Sequence, residues 1–240
     1  MVVKVSLCYG RLAPTRPFGV SDLGVYAQGK LPRPPAAIAS PGVDDWQMFG
    51  NDQYGDCTMA GAAHLIMAWD KAFKVNDPVP SDSTVVETYF QLSGGQDSGL
   101  NEHNVLETWR TSGLFGNKIA AYVPVNPKSI VEIHQAIAFY GAAYLGITCP
   151  ASAQTDFANN MPWAYDPASP IEGGHCIIAV GYTKYSLLCV SWGKLVEVTY
   201  PFLAHFLEEA WCALSQELVE AKKDSLGLDL ATLTADLNRL

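Results

Sequence analysis

Apolar positions along this chain change their period several times, and each change marks an element. A small, apolar run opens at Cys57 and reads as a helix to about Phe73. Met59, Ala63, Ile66 and Phe73 form its core stripe, while Cys57, Gly61, His64 and Ala68 share another face. Pro78 requires it to stop. Pro80 to Thr84 starts a second helix, with Glu87 three residues after Thr84 as in a capping box. A third runs from Glu102 to Thr111 and ends at Gly113. Lys118 to Val125 reads as a strand. Ser129 to Phe139 is a helix with Ile130, Ile133, Ala136 and Ile137 on one face, and Ala142 to Ile147 is a buried strand. A strand opening at His175 and running through Tyr182 returns as Leu187 to Gly193, a hairpin. Tyr200 to Glu209 reads as a helix and Ala210 to Leu214 as a closing strand.

The two ends read differently. Residues 1–42 begin with a short strand, Val2 to Leu7, and continue through Pro14, Pro17, Gly19, Gly29, Pro32, Pro34, Pro35 and Pro41. Proline at that density favours extended, surface-crossing chain, so this part is expected to form a strap across the domain. Residues 43–214 carry the regular elements and form one domain. In residues 215–240, Leu226, Leu230, Leu233, Leu237 and Leu240 recur at four- and three-residue steps, a seam of coiled-coil spacing about two heptads long. So short a coil is marginal alone, which favours a helix docked on its own domain over an oligomer helix.

Composition narrows the function. With 240 residues, 49% hydrophobic and 16% charged, the chain can bury a sizeable core. Its formal charge of −9, from 24 acidic and 15 basic residues without a basic cluster, argues against nucleic acid or an anionic membrane as partner. No apolar run reaches transmembrane length, and the first residues do not read as a signal peptide, so a cytoplasmic protein is expected. The six cysteines, Cys8, Cys57, Cys149, Cys176, Cys189 and Cys212, are scattered and read as reduced. No C-x-x-C or H-x-x-x-H spacing suggests a metal, and no cofactor is implied.

Candidate chemistry gathers at two stretches. In Gly50-Asn51-Asp52-Gln53-Tyr54-Gly55-Asp56-Cys57-Thr58, polar turn residues lead into a thiol at a helix N-terminus. Unpaired N–H groups and the macrodipole there favour thiolate, so Cys57 is expected to titrate below an ordinary cysteine and to act as a nucleophile. In Glu172-Gly173-Gly174-His175-Cys176-Ile177-Ile178-Ala179-Val180-Gly181-Tyr182, a glycine pair sets a histidine at the head of an apolar strand, and the return ends in Ser191-Trp192-Gly193.

A cysteine at a helix start, with a histidine more than a hundred residues later on a strand, resembles the papain-like cysteine peptidases. The histidine strand there reads roughly H-A-V-x-x-V-G-Y, matched by His175 and Gly181-Tyr182, and the next ends in N-S-W-G, matched by Ser191-Trp192-Gly193. Val43-Asp44-Asp45-Trp46 is similar to the V-D-W-R that begins the mature domain, and Gly94 and Gly95 to the N-G-G cleft loop. The resemblance implies an α+β fold, a helical half led by the cysteine helix packed on an antiparallel β half. It implies Cys57 as nucleophile, His175 as base and then acid, Trp192 as a shield of the histidine, and the Cys57 N–H as an oxyanion donor. The side-chain donor falls at Asn51, with Gln53 second by spacing. Either amide could instead fix the turn.

The pattern fails at the third member. The family asparagine corresponds to Val190, which cannot orient an imidazole, and strand alternation would turn the adjacent Ser191 away. Two functions therefore stand side by side. One is a thiol hydrolase acting on peptide or amide bonds, with a peptide or protein as substrate. The other is an inactive papain-like module with assembly partners on the strap and the C-terminal helix. Short-loop G-N-D-x-x-G-D-C-T sequences look like proteins of actinobacteria and their phages, so a virion or tail component belongs to the second reading.

Overall fold

Among the described residues six strands form one antiparallel sheet in the order β1-β6-β2-β3-β4-β5, and the helices pack around it. The computed structural model describes residues 7–74, 78–222 and 226–240; the strand expected over Val2 to Leu7 lies almost wholly outside them. The helices are α1 (Leu23–Ala27), α2 (Cys57–Phe73), α3 (Asp82–Leu92), α4 (Glu102–Thr111), α5 (Ile130–Tyr140), α6 (Ala151–Ala158), α7 (Tyr200–Phe206), α8 (Gln216–Ala221) and α9 (Leu230–Leu237). The strands are β1 (Ile119–Val125), β2 (Ala143–Pro150), β3 (Ile171–Tyr182), β4 (Ser186–Ser191), β5 (Lys194–Thr199) and β6 (Leu207–Ser215). Among the described residues no helix is long and apolar enough to cross a membrane.

α2 is the central helix. It packs on β3 through Gly61, where a Cβ would stand 2.9 Å from the Tyr144 ring, 3.0 Å from Cys176 Sγ and 3.1 Å from Ile178 Cδ1. Every residue from Cys57 to Trp69 is buried, on both of the faces that the pattern distinguishes. The second face is covered by the turn before the helix: His64 packs beside Trp46 and Phe49, and its Nε2 lies 3.1 Å from Gln47 O. A helix apolar all round belongs in the middle of a core, and α2 sits there.

Three boundaries differ from the pattern. α3 is capped by Ser81, whose Oγ accepts from Thr84 N–H at 3.2 Å, and not by a Thr84–Glu87 box. The helix predicted over Tyr200 to Glu209 ends at Phe206, because Leu207 turns extended and pairs with Ile147. Glu208 and Glu209 therefore stand on β6. The leucine seam is broken too: only Leu230 to Leu237 is helical, after a non-helical stretch from Leu226. Leu226, Leu233 and Leu237 are buried while Leu240 is half exposed. This end docks on its own domain, with Tyr26 of α1 donating to Asp236 at 2.8 Å and Arg110 of α4 to Leu237 O at 3.2 Å.

Residues 7–42 lie along the surface of these layers. Ile38 pairs with Tyr182 at the end of β3, and the short α1 interrupts the otherwise extended path. None of the six cysteines is in a disulfide.

Candidate active site

Cys57 is the first residue of α2, and its N–H is one of the first-turn donors that have no carbonyl inside the helix. His175 stands on β3, its ring stacked on Trp192 with centroids 4.3 Å apart at 18°. Trp192 is held there by a backbone turn between β4 and β5, with φ of +44° at Trp192 and +69° at Gly193. A Cβ at Gly193 would stand 3.0 Å from Gln47 O, so this turn also presses against the segment that leads into α2.

The third position is filled, contrary to the alternation argument. His175 Nε2 lies 2.9 Å from Ser191 Oγ. The register explains it. Val190 pairs with Ile178, so both face α2 together with Cys176, while Ser191 shares the opposite face with His175. Val190 is a core residue and Ser191 is the imidazole's partner. Nδ1, the other ring nitrogen, is buried without a hydrogen-bond partner.

The electrostatics are those of a covered site. Burial pushes the Cys57 thiol up to about 12; the Cys176 and Gly10 N–H groups oppose this, and the carboxylates of Asp56 and Glu102 add to it. Burial, with the Arg11 charge, pushes His175 down to about 3. The depressed thiol expected from a helix N-terminus is thus overturned here, since desolvation outweighs the helix end. At neutral pH Cys57 is a thiol and His175 a neutral imidazole.

The remaining predicted residues fall as follows. Asn51 is buried, donates Nδ2 to Tyr54 O at 3.2 Å, and its amide also bears on the buried Asp56 carboxyl. Gln53 is exposed on the same turn. Gly94 and Gly95 are exposed with open space where a Cβ would go. The part of that loop that reaches the site is Asp97 to Gly99. Asp97 Oδ1 accepts from Gly55 N–H at 2.9 Å and from Tyr89 Oη at 2.6 Å, and Gly99 N–H donates to Tyr89 Oη at 2.9 Å. This network ties the turn before Cys57 to the loop before α4. Its sequence signal was an acidic residue inside a glycine-rich loop, which also fits a solvated turn. Tyr9, Gly10 and Arg11, which also touch the site, left no motif. Among the described residues no cluster of His, Cys, Asp or Glu could hold a metal ion.

With this geometry in hand, the comparisons are informative at the level of fold. No family model and no curated protein matches the chain. The solved structure of xylellain, a cysteine protease from Xylella fastidiosa, superposes with a TM-score of 0.66 at 14% identity, covering 88% of this chain and 97% of that one. The fold is that of the papain-like cysteine proteases. Procathepsin B from Trypanosoma congolense gives a TM-score of 0.59 at 8% identity, covering 90% and 89%. The cysteine protease and lectin-like domains of Cwp84 from Clostridium difficile give 0.51 at 12%, covering 87% of this chain and 53% of that one. In this papain-like fold, Cys57 heads the central helix, while His175 stands four residues inside β3, which begins at Ile171 and not at the histidine.

Proposed function

We propose that the protein is a thiol hydrolase of peptide or amide bonds working through Cys57, His175 and Ser191. The observation that carries this reading is the Ser191 bond to His175 Nε2, which fixes one ring nitrogen and leaves Nδ1 without a partner. In the tautomer whose Nε2–H donates to Ser191 Oγ, Nδ1 carries the free lone pair that a cysteine nucleophile needs. In this reading His175 Nδ1 takes the Cys57 proton, and the thiolate sulfur bonds to the substrate carbonyl carbon. The oxyanion is met by the Cys57 N–H, aimed by the turn that Asn51 holds. His175 then returns the proton to the leaving amine, and water releases the acyl group from sulfur with regeneration of the thiol. The substrate is a peptide or protein.

The site as covered here has neither ion in place, and this favours one second reading: a papain-like module that is not catalytic. Peptide-library cleavage read by mass spectrometry separates the two. Cleavage is expected to vanish in Cys57→Ala, and Ser191→Ala is expected to lower kcat by roughly 10- to 100-fold with KM little changed. Cleavage that survives Cys57→Ala, or none by the intact protein and by the uncovered variants described next, overturns the hydrolase.

A further inference from the structure

Between Cys8 and Leu12 the chain crosses the site in extended form, bonded on both sides. Gly10 and Arg11 donate their N–H groups to Gly174 O at 3.2 and 3.0 Å. On the other side Leu100 N–H donates to Gly10 O at 2.9 Å, and Leu12 N–H to Leu100 O at 3.0 Å. Cys8 O accepts from Trp192 Nε1 at 3.3 Å, and Cys8 N–H donates to Asn51 O at 3.3 Å. These are the main-chain bonds by which a cleft takes an extended peptide.

The walls are shaped to that backbone. A Cβ on Gly55 would stand 2.7 Å from Tyr9 O; on Gly99, 2.2 Å from Gly10 O; on Gly173, 2.8 Å from Tyr9 Cβ; on Gly174, 2.2 Å from Arg11 O. On Gly10 itself it would stand 1.6 Å from Gly55 O. Glycines from three separate parts of the wall thus give way to one segment, and the segment answers with a glycine at its tightest point.

The next side chain enters a pocket made for it. The Arg11 side chain is 2% exposed. Its Nη1 donates to Glu209 Oε1 at 2.8 Å and to Leu12 O at 3.2 Å, and its Nη2 donates to Glu208 Oε2 and to Ile147 O at 3.1 Å. Gly146 opens the floor, since a Cβ there would stand 2.7 Å from Arg11 Cδ and 2.6 Å from Glu209 Cγ. The buried Glu102 carboxyl acts on both Arg11 and Glu209, and neither of its oxygens is hydrogen-bonded. Emptied of the guanidinium, the pocket would leave buried acids facing one another without a cation, which is costly. Lysine would satisfy the charge but not the fork.

We infer that residues 8–12 are a resident pseudosubstrate, holding in cis the subsites of an extended peptide whose glycine lies against Cys57 and whose next residue, an arginine, enters the Glu208–Glu209 pocket. The assignment of a glycine–arginine peptide as substrate rests on the hydrolase reading; occupancy of the cleft does not. The segment is spared because the Gly10 carbonyl is already engaged, accepting from Leu100 N–H at 2.9 Å.

The test is the rate of Cys57 alkylation by iodoacetamide in the full chain, resolved from the other cysteines by peptide mapping. Gly10→Ala, which disturbs the crossing without emptying the acidic pocket, and Arg11→Ala are each expected to raise it by at least about tenfold, because local opening limits access to a buried thiol. In Arg11→Ala, whose acidic pocket is vacated, free Tyr-Gly-Arg-Leu peptide is expected to slow the reaction again, and Tyr-Gly-Ala-Leu is not. An unchanged rate in folded Gly10→Ala, or equal protection by both peptides, overturns the inference. Faster alkylation with arginine-dependent protection but no cleavage of any peptide sustains the pseudosubstrate and refutes the hydrolase.

Discussion

His175 is kept neutral and Cys57 protonated by one main cause, the removal of water. For His175 the Arg11 charge works in the same direction, so withdrawing residues 8–12 would restore water and remove a cation together. The same burial has a consequence for stability. His175 and His64 are pushed down to about 3 and about 4, both by desolvation first. In the folded protein they stay neutral while the unfolded chain protonates them below about 6.5. Their contribution is therefore whole above that value and is lost as the pH falls through 4 towards 3. The urea midpoint is expected to drop across this window, and to drop less in His64→Gln, which titration of denaturation curves would show. At this scale the placement of Cys57 at a helix start and of His175 on a strand was legible, because a thiol after a polar turn and a histidine after two glycines are local patterns. Ser191 was not legible. Its direction depends on the pairing of Val190 with Ile178, and one step of register turns every side chain to the other face.

The helices and strands were legible where one periodicity lasted long enough. Glu102–Thr111 matches the pattern residue for residue, while α6 and α8, of eight and six residues, gave too few repeats to register. The α7–β6 boundary was misread because nothing in Leu207-Glu208-Glu209 opposes a helix; strand pairing with β2 decides it. That misreading hid the arginine pocket, since two acids at the end of a helix are an ordinary solvated face. α2 tests the packing of the two halves. Gly61→Val would drive methyls into Tyr144, Cys176 and Ile178, and is expected to cost about 2–3 kcal/mol by denaturant titration, as overpacking of a filled core does.

Across the whole molecule, the sheet is closed by β6, which lies between β1 and β2 and pairs with both. The C-terminal segment completes the same body, with Leu233 and Leu237 buried among α9, α1 and β1. Leu233→Ala is expected to cost about 2–5 kcal/mol, measured by the same titration, which a free or merely dimer-forming helix would not show. The seam was visible in the spacing; what it packs against was not, because that depends on where residues some two hundred positions earlier run. The distance along the chain also sets an order of events during synthesis. Arg11 meets Glu208 and Glu209 across 197 and 198 positions, whereas Gly10 and Arg11 need only Gly174 and Leu100 for their main-chain bonds. On the ribosome, Cys57, His175 and the crossing segment have all emerged before the acids that hold the arginine exist. The cover is laid first and fastened last, and a nascent chain spends that interval with its thiol only loosely guarded.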